Sequence, residues 1–200
     1  MTRIPLTQIS SVAWEHPADR AALNALRAIP GFDEIVRKVA AFFGERGVRH
    51  LFTANAVRVG PTQFPELDAL LTEVLETMDW PERPEMYVSQ TPLVNAFAVG
   101  FDKPFIVMNS GLLELLDRDE RRFIIAHELG HIMSGHSTYR TIAIIVMTVG
   151  LSGLPFLANI ALFPFQMALL EWYRKSELSC DRAALLGIQD VQTAQRAFLK

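Results

Sequence analysis

Three segments in the first eighty residues carry apolar residues at helical spacing. Residues 19–29 and 33–43 each show an apolar face that repeats every three to four positions, and a Pro-Gly pair separates them. Asp33 stands at the position expected for the N-cap of the second helix. A third helix is predicted from Pro65, since proline lacks the N–H that the first helical turn leaves unpaired. The predicted buried stripe of this third helix comprises Leu67, Leu70, Leu71, Val74, Leu75 and Met78.

Strand patterns follow, with a different character in each segment. Residues 48–59 are rich in strand formers and predict one or two short strands. Residues 86–88 predict another, and residues 95–101 alternate large apolar side chains with two alanines, as in a strand with two unlike faces. The apolar run 105–108 is typical of a strand buried on both faces. With a short helix at 111–116, the pattern predicts an α+β fold, mainly helical, with a small β-sheet.

Length and composition predict one compact domain. The chain has 200 residues, of which 50% are hydrophobic, and this is enough to bury a substantial core. The turn-rich segment 80–84 is the best candidate for an internal boundary. We therefore expect a helical N-terminal region, residues 1–83, that packs on a second part, residues 84–200.

Charge and cysteine content exclude several classes of protein. The 19 basic and 22 acidic residues are scattered and give a net charge of −3, so no basic patch for nucleic acid is expected. The single cysteine, Cys180, excludes an intramolecular disulfide framework and fits a reducing compartment. Residues 1–17 contain one arginine and no apolar run, which predicts no signal peptide and a cytoplasmic location.

A His-Glu-x-x-His motif is the strongest chemical signal in the sequence. His127 and His131 are four residues apart, so on a helix their side chains differ by only about 40° around the axis. This spacing lets both imidazoles hold one zinc ion, and Glu128 lies where it could take a proton from water at the metal. Two histidines at this spacing alone would more often be core or surface residues. The full motif favours zinc.

The residues around the motif predict a helix that is buried nearly all round. Asp117 and Glu120 have the spacing of a capping box at its start. Ile125, Leu129 and Ile132 form an apolar stripe on the side opposite the two histidines.

A pair of acidic residues further along the chain offers the third ligand that a catalytic zinc needs. Glu177 and Asp181 share one face of a helix, where Glu177 could bind the metal and Asp181 could accept a hydrogen bond from a ligand histidine. The alternative is a solvated acidic face that pairs with Arg174, Lys175 and Arg182. The two-histidine motif, which lacks a third ligand, favours the first interpretation.

His136 is the competing third ligand. It lies five residues after His131, which is about 140° further around a continuous helix, so it would point away from the metal. Only a break in the helix at Gly135 could bring it round.

Thirty residues without a charge, 141–170, separate the motif from the acidic pair. One membrane crossing would put His131 and Glu177 on opposite sides, and two crossings need about 20 residues each. Glycines and prolines, including Pro164, are expected to break the run into short pieces. We therefore predict a helical hairpin that packs on the domain, or that contacts a membrane surface or another protein.

These residues resemble the gluzincin peptidases that include the HtpX heat-shock proteases and the CAAX prenyl endopeptidases, peptidase family M48. The similar segments are 95–98, 127–131 and 174–183, and the N-terminal part is also similar to bacterial members that look soluble. The resemblance implies a zincin-like fold. It also implies one zinc ion bound by His127, His131 and Glu177.

The resemblance implies further roles as well. Glu128 would be the general base and acid, and Asp181 would orient a ligand. Asn95, Ala96 and Phe97 would lie on the edge strand that receives the substrate backbone. Family members also have a downstream histidine thought to stabilise the transition state, and no histidine follows His136 here.

The function expected from residues and resemblance together is a zinc-dependent endopeptidase acting on peptides or unfolded proteins. Tyr139 and Tyr173 are the candidates to replace the downstream histidine. The alternative is a zinc-stabilised scaffold or chaperone-like binding module with weak or no catalysis. Glu128 favours the enzyme, because a structural zinc site does not need it. Cys180 is expected to pack as a small residue behind the third ligand.

Overall fold

The described part of the chain combines eight α-helices with four β-strands. The computed structural model describes residues 3–149 and 156–200. In chain order the elements are α1 (Pro17–Arg27), α2 (Phe32–Thr53), β1 (Ala56–Arg58), α3 (Pro65–Thr77), β2 (Met86–Ser89), β3 (Ala96–Val99), β4 (Phe105–Asn109), α4 (Ser110–Leu115), α5 (Arg118–Met133), α6 (Ser137–Val149), α7 (Phe156–Ile188) and α8 (Val191–Phe198). The α+β class predicted from the sequence is confirmed.

The four strands form one mixed sheet in the order β1-β2-β4-β3. β3 and β4 make an antiparallel hairpin, while β2 and β4 run parallel. All five residues of β4 are buried, as the uninterrupted apolar run predicted. Because β3 is the last strand in this order, it lies at an edge of the sheet, next to helix α5.

The two faces of β3 pack against different layers of helices. Phe97 and Val99 join a core with Val48 of α2 and Ile145 of α6. Ala96 joins the core on the other face, which includes residues of α3 and α5. The alternation predicted for residues 95–101 is thus present, and the short alanine side chains let α5 approach the strand closely.

Helix α5 begins and ends as its local sequence dictates. Asp117 accepts a hydrogen bond from the Glu120 backbone N–H, and Glu120 accepts one from the Asp117 N–H, each at 2.9 Å. This is the predicted capping box. At the other end Gly135 has φ +70°, a left-handed conformation that glycine adopts readily and that turns the chain out of the helix.

The strand prediction for residues 48–59 is wrong over most of its length. Helix α2 continues to Thr53 through a kink at Gly44, and only Ala56–Arg58 form a strand. Val48 and Phe52, four residues apart, point from the helix toward the sheet, where Phe52 packs on Phe97. Tertiary packing has overridden their strand propensity. The helix also starts at Phe32, one residue before the predicted cap.

The described residues of the apolar segment 141–170 lie in two helices, α6 and α7, which contact each other. Residues 150–155, between them, lie outside the described residues. Pro164 does not break the chain into short pieces as expected, because α7 continues through it and on to Ile188. Ile142 and Phe165 are buried, whereas Phe163 and Met167 are exposed.

Within residues 3–149 and 156–200, no helix has both the length and the apolar character needed to span a membrane. The division between residues 1–83 and 84–200 stays a prediction. Contacts cross it, since α1 packs along α7 and α3 packs on α5.

A close crossing of α5 and α7 brings the two anchor motifs together. A Cβ atom added at Gly130 would lie 2.8 Å from the Ala183 Cβ, closer than real side chains approach. The helices can therefore cross at this distance only because position 130 carries no side chain.

We expect Gly130→Ala to lower the free energy of unfolding by up to roughly 2 kcal/mol. Overpacking costs about 1–3 kcal/mol, and the helix propensity of alanine offsets about 1 kcal/mol of that. The control is Gly47→Ala in α2, where an added Cβ would meet no atom within 4 Å. That change should stabilise the protein by about 0.5–1 kcal/mol. Urea unfolding measures both, and stabilisation by both variants would contradict the close crossing.

Candidate metal centre

Three side chains from two helices converge on one point. His127 and His131 project from α5, and Glu177 projects from α7. The two Nε2 atoms are 3.2 Å apart, and Glu177 lies 3.0 Å from His127 Nε2 and 3.6 Å from His131 Nε2. The structure thus brings together the three predicted ligand residues.

The spacing of these atoms fits a tetrahedral cation site. Zinc–nitrogen and zinc–oxygen bonds of about 2.0–2.2 Å at the tetrahedral angle hold ligand atoms roughly 3.3–3.5 Å apart. The observed separations of 3.0–3.6 Å bracket this value. Two neutral imidazoles and one carboxylate are also a donor set that zinc uses in enzymes.

Asp181 lies behind His127, one helical turn after Glu177. Its Oδ1 is 3.1 Å from His127 Nδ1. A carboxylate at Nδ1 accepts the Nδ1–H and leaves the Nε2 lone pair free for a metal. Burial alone would lower the pKa of His127, but without a metal its ring donates hydrogen bonds to both Asp181 and Glu177, which outweigh burial and raise this pKa to about 9. A cation at Nε2 would therefore displace the proton that Nε2 shares with Glu177.

Glu128 is buried beside the three convergent side chains. Its carboxylate accepts a hydrogen bond from the Ala98 backbone N–H on β3. Burial raises the pKa of Glu128, while the positive charges of Arg140 and His127 oppose this rise. Its Oε2 has no hydrogen-bond partner among the described residues.

Arg140 of α6 belongs to the same site, although the sequence analysis did not select it. Its guanidinium makes an ion pair with Glu177, and Nη1 lies 2.7 Å from His131 Nε2. An N–H at this position and a cation would compete for one lone pair, so this N–H must move away when a cation binds. The available signal was a lone arginine immediately before thirty uncharged residues.

Electrostatics keep the remaining two ligand groups ready for a cation. Burial, reinforced by the positive charge of Arg140, holds the pKa of His131 well below its usual value, which keeps this imidazole neutral. Burial would raise the pKa of Glu177, but the hydrogen bond from His127 and the positive charge of Arg140 outweigh it and lower this pKa. Glu177 is therefore a carboxylate.

His136 does not continue the helix of His127 and His131, because α5 ends before it and the chain turns at Gly135, the one break that the sequence allowed. The turn at Gly135 places His136 Nδ1 3.2 Å from His131 Nδ1. His136 thus lies on the side of the His131 ring opposite the convergent Nε2 atoms. Cys180 Sγ is 3.7 Å from His136 Nδ1, and burial raises the pKa of this thiol well above its usual value. Cys180 is thus buried beside His136.

A cleft of about 400 Å³ gives access to the site. Asn95 and Ala96 line one side of it, and Tyr173 lines it together with His127 and Glu177. Phe97 does not line the cleft and packs on Phe52 across the sheet. A larger cavity of about 560 Å³ lies around Trp80 and Arg83 and contains none of the predicted site residues.

Comparison with known proteins identifies a family for this chain. The profile of Peptidase family M48 matches residues 61–200, which include α5 and α7. The chain belongs to peptidase family M48.

This M48 chain is similar to proteins from plants and bacteria. It is 35% identical over 189 residues to the plastoglobule-localized metallopeptidase 48 of Arabidopsis thaliana, which covers 94% of this chain and 54% of that protein. It is 32% identical over 120 residues to the protease HtpX homolog of Moorella thermoacetica, covering 59% of this chain and 39% of that protein. It is 44% identical over 69 residues to the HtpX homolog of Helicobacter pylori, covering 34% and 22%.

The M48 chain thus spans about half the length of its Arabidopsis relative and less of the two HtpX homologues. No solved structure matches it. Membership of a metallopeptidase family implies a metal cofactor, and the donor atoms of His127, His131 and Glu177 have the geometry to hold one.

We expect Glu177→Ala to weaken zinc binding by more than about a hundredfold. Loss of an outer partner alone costs roughly 10–100-fold, and Glu177 would be a direct ligand. The control is Glu114→Ala, since Glu114 is an exposed glutamate on α4 and should not affect affinity. Competition with a chromogenic chelator measures zinc affinity. Equal affinities in the two variants would point to a different third ligand.

Proposed function

We propose that this M48 chain is a zinc-dependent endopeptidase with Glu128 as general base and acid. The convergence of His127, His131 and Glu177 beside the Glu128 carboxylate carries this proposal. The Oε2 of Glu128 supports it, because a buried carboxylate oxygen with no hydrogen-bond partner among the described residues is suited to bind water or substrate.

The chain's own residues would divide the work of hydrolysis. Zinc, when bound, supplies a Lewis acid that polarises a carbonyl group and acidifies water. His127, His131 and Glu177 would hold and orient it. Glu128 would take a proton from the attacking water and give it to the leaving amine as the peptide bond breaks.

The edge strand β3 would receive the substrate backbone in a zincin-like arrangement. The Asn109 N–H donates to the Asn95 carbonyl, so the backbone groups of residues 95, 97 and 99 face β4. Those of Ala96 and Ala98 therefore face away from β4, and the Ala98 N–H already donates to Glu128. Ala96 lines the cleft, so its carbonyl would be available to an extended peptide, which would bind by strand addition. Peptides and unfolded proteins are the substrate class that fits.

The oxyanion of the transition state needs a donor in the cleft. Of the two tyrosines predicted for this role, Tyr173 lines the cleft, with the Arg140 guanidinium 4.8 Å from its ring centre. Tyr139 packs against Phe32 and Trp172 in the core behind the cleft. We propose Tyr173 as the donor.

The proposed contact of residues 141–170 with a membrane surface or another protein is supported by the exposed Phe163 and Met167 on α7. We also propose that the protein is cytoplasmic and that any membrane contact is made on the cytoplasmic face.

We expect Glu128→Gln to keep zinc within about twofold of the wild type and to lose cleavage by roughly 10²–10⁴-fold. The amide preserves size but cannot take a proton. A mixed peptide pool analysed by mass spectrometry measures cleavage, and a chelator assay measures zinc, with Glu114→Gln as control. Normal cleavage by Glu128→Gln would reject this role. Zinc binding without cleavage by the wild type would favour the scaffold function.

We expect Tyr173→Phe to lower kcat by about tenfold or more with little change in KM, because the hydroxyl acts in the transition state. Tyr139→Phe is the matched control, since its hydroxyl accepts a hydrogen bond from Arg27 at 3.2 Å, away from the cleft. Steady-state kinetics on a peptide found in the pool measure both. Equal effects of the two substitutions would assign the donor elsewhere.

A further inference from the structure

A chain of three buried side chains leads from the metal centre into the N-terminal helix. His136 lies 3.2 Å from the far nitrogen of His131, and the Asp19 carboxylate lies 3.2 Å from His136 Nε2. We infer that His136 and Asp19 are positioning residues that hold the His131 imidazole with its Nε2 lone pair directed at the metal. This inference rests on the proposed function, because it assigns a role at the same site.

The hydrogen-bond directions along this chain have one consistent solution. A metal at His131 Nε2 requires that nitrogen to carry a lone pair, so the proton of a neutral His131 is on Nδ1. The Nδ1–H must then donate to His136 Nδ1. His136 in turn carries its proton on Nε2 and donates it to Asp19. The proton position on each ring thus determines the proton position on the next, and the Asp19 carboxylate, which can only accept, sets the direction of all these hydrogen bonds.

The Asp19 carboxylate is buried and held in place by several hydrogen bonds. Only 1% of its surface is exposed, and it accepts hydrogen bonds from Trp172 Nε1 at 3.1 Å and Ser179 Oγ at 2.5 Å as well as from His136. Burial would raise the pKa of Asp19, but the hydrogen bonds from His136, Ser179 and Trp172 outweigh it and lower this pKa. A buried carboxylate with three donors holds its position.

The His136 ring is confined on its other sides. Trp172 packs edge-on against it with ring centres 5.6 Å apart, and Cys180 Sγ lies 3.7 Å from Nδ1. The left-handed turn at Gly135 directs the chain so that the His136 ring lies between His131 and Asp19. His136 therefore cannot rotate to release His131 without disturbing the packing of α7.

Each ligand histidine thus has its own outer partner. Asp181 serves His127 and lies on the same helix as the ligand Glu177. Asp19, by contrast, lies in α1, outside the segment 61–200 that the family profile matches. The N-terminal region accordingly contributes to the metal centre rather than merely covering it.

The test compares zinc affinities of variants of the 200-residue chain, measured by chelator competition. His136→Leu removes the acceptor for the His131 N–H and should weaken zinc binding by about 10–100-fold. His136→Gln keeps an acceptor oxygen and should recover most of that loss. Asp19→Asn keeps the shape but removes the charge, and should weaken binding by about tenfold.

A structural role alone would give a different pattern. Ser179→Ala removes another hydrogen bond to Asp19 but leaves the chain through His136 in place. It should lower the melting temperature of the zinc-free protein while keeping zinc affinity within about twofold. The inference is overturned if His136→Leu and Asp19→Asn bind zinc like the wild type, or if Ser179→Ala weakens zinc binding as much as they do.

The Glu177→Ala variant separates failure of this inference from failure of the proposed function. If Glu177→Ala weakens zinc binding and His136→Leu does not, the metal centre stands and the positioning role falls. If neither change matters, zinc binds elsewhere and both proposals fall.

Discussion

The close contact between α5 and α7 is the constraint on which the site depends. Two ligand atoms on one helix are positioned by helical geometry alone, because residues four apart share a face. The third must come from a residue fifty positions after the first, so only packing can place it. At Gly130 the two helices meet with no side chain between them, and Ala183 fills the space opposite. A bulkier residue at either position would move Glu177 away from the histidines by about the thickness of the added atoms.

The site also concentrates buried charge, and its groups stabilise one another. Glu128 and Glu177 are two carboxylates close to one buried guanidinium, that of Arg140. Removing one partner of a buried ion pair leaves the other charge unpaired, which costs free energy of folding. Each of these charged groups therefore makes removal of another more destabilising. The residues are consequently a unit in which single substitutions will not have additive effects.

The sequence predicted those features that local spacing determines. The capping box of α5, the buried stripe of α3 and the two faces of β3 each follow from residues within a few positions of one another. The convergence of His127, His131 and Glu177 was also expected. Features that depend on the whole fold were missed: the helix over residues 48–53, the course of α7 through Pro164, and the place of Arg140. Asp19 is the extreme case, because nothing near it in the sequence indicates that it lies beneath a histidine more than a hundred residues away.

The single long helix α7 has a mechanical consequence. Met167 is exposed on it, and Glu177 lies ten residues further along, about 15 Å by helical rise. No proline or glycine separates the two positions. An α-helix of this length is stiff along its axis, so the surface that carries Met167 and the carboxylate at the metal centre move as one rod. A displacement of the helix at Met167 would therefore also displace the Glu177 carboxylate.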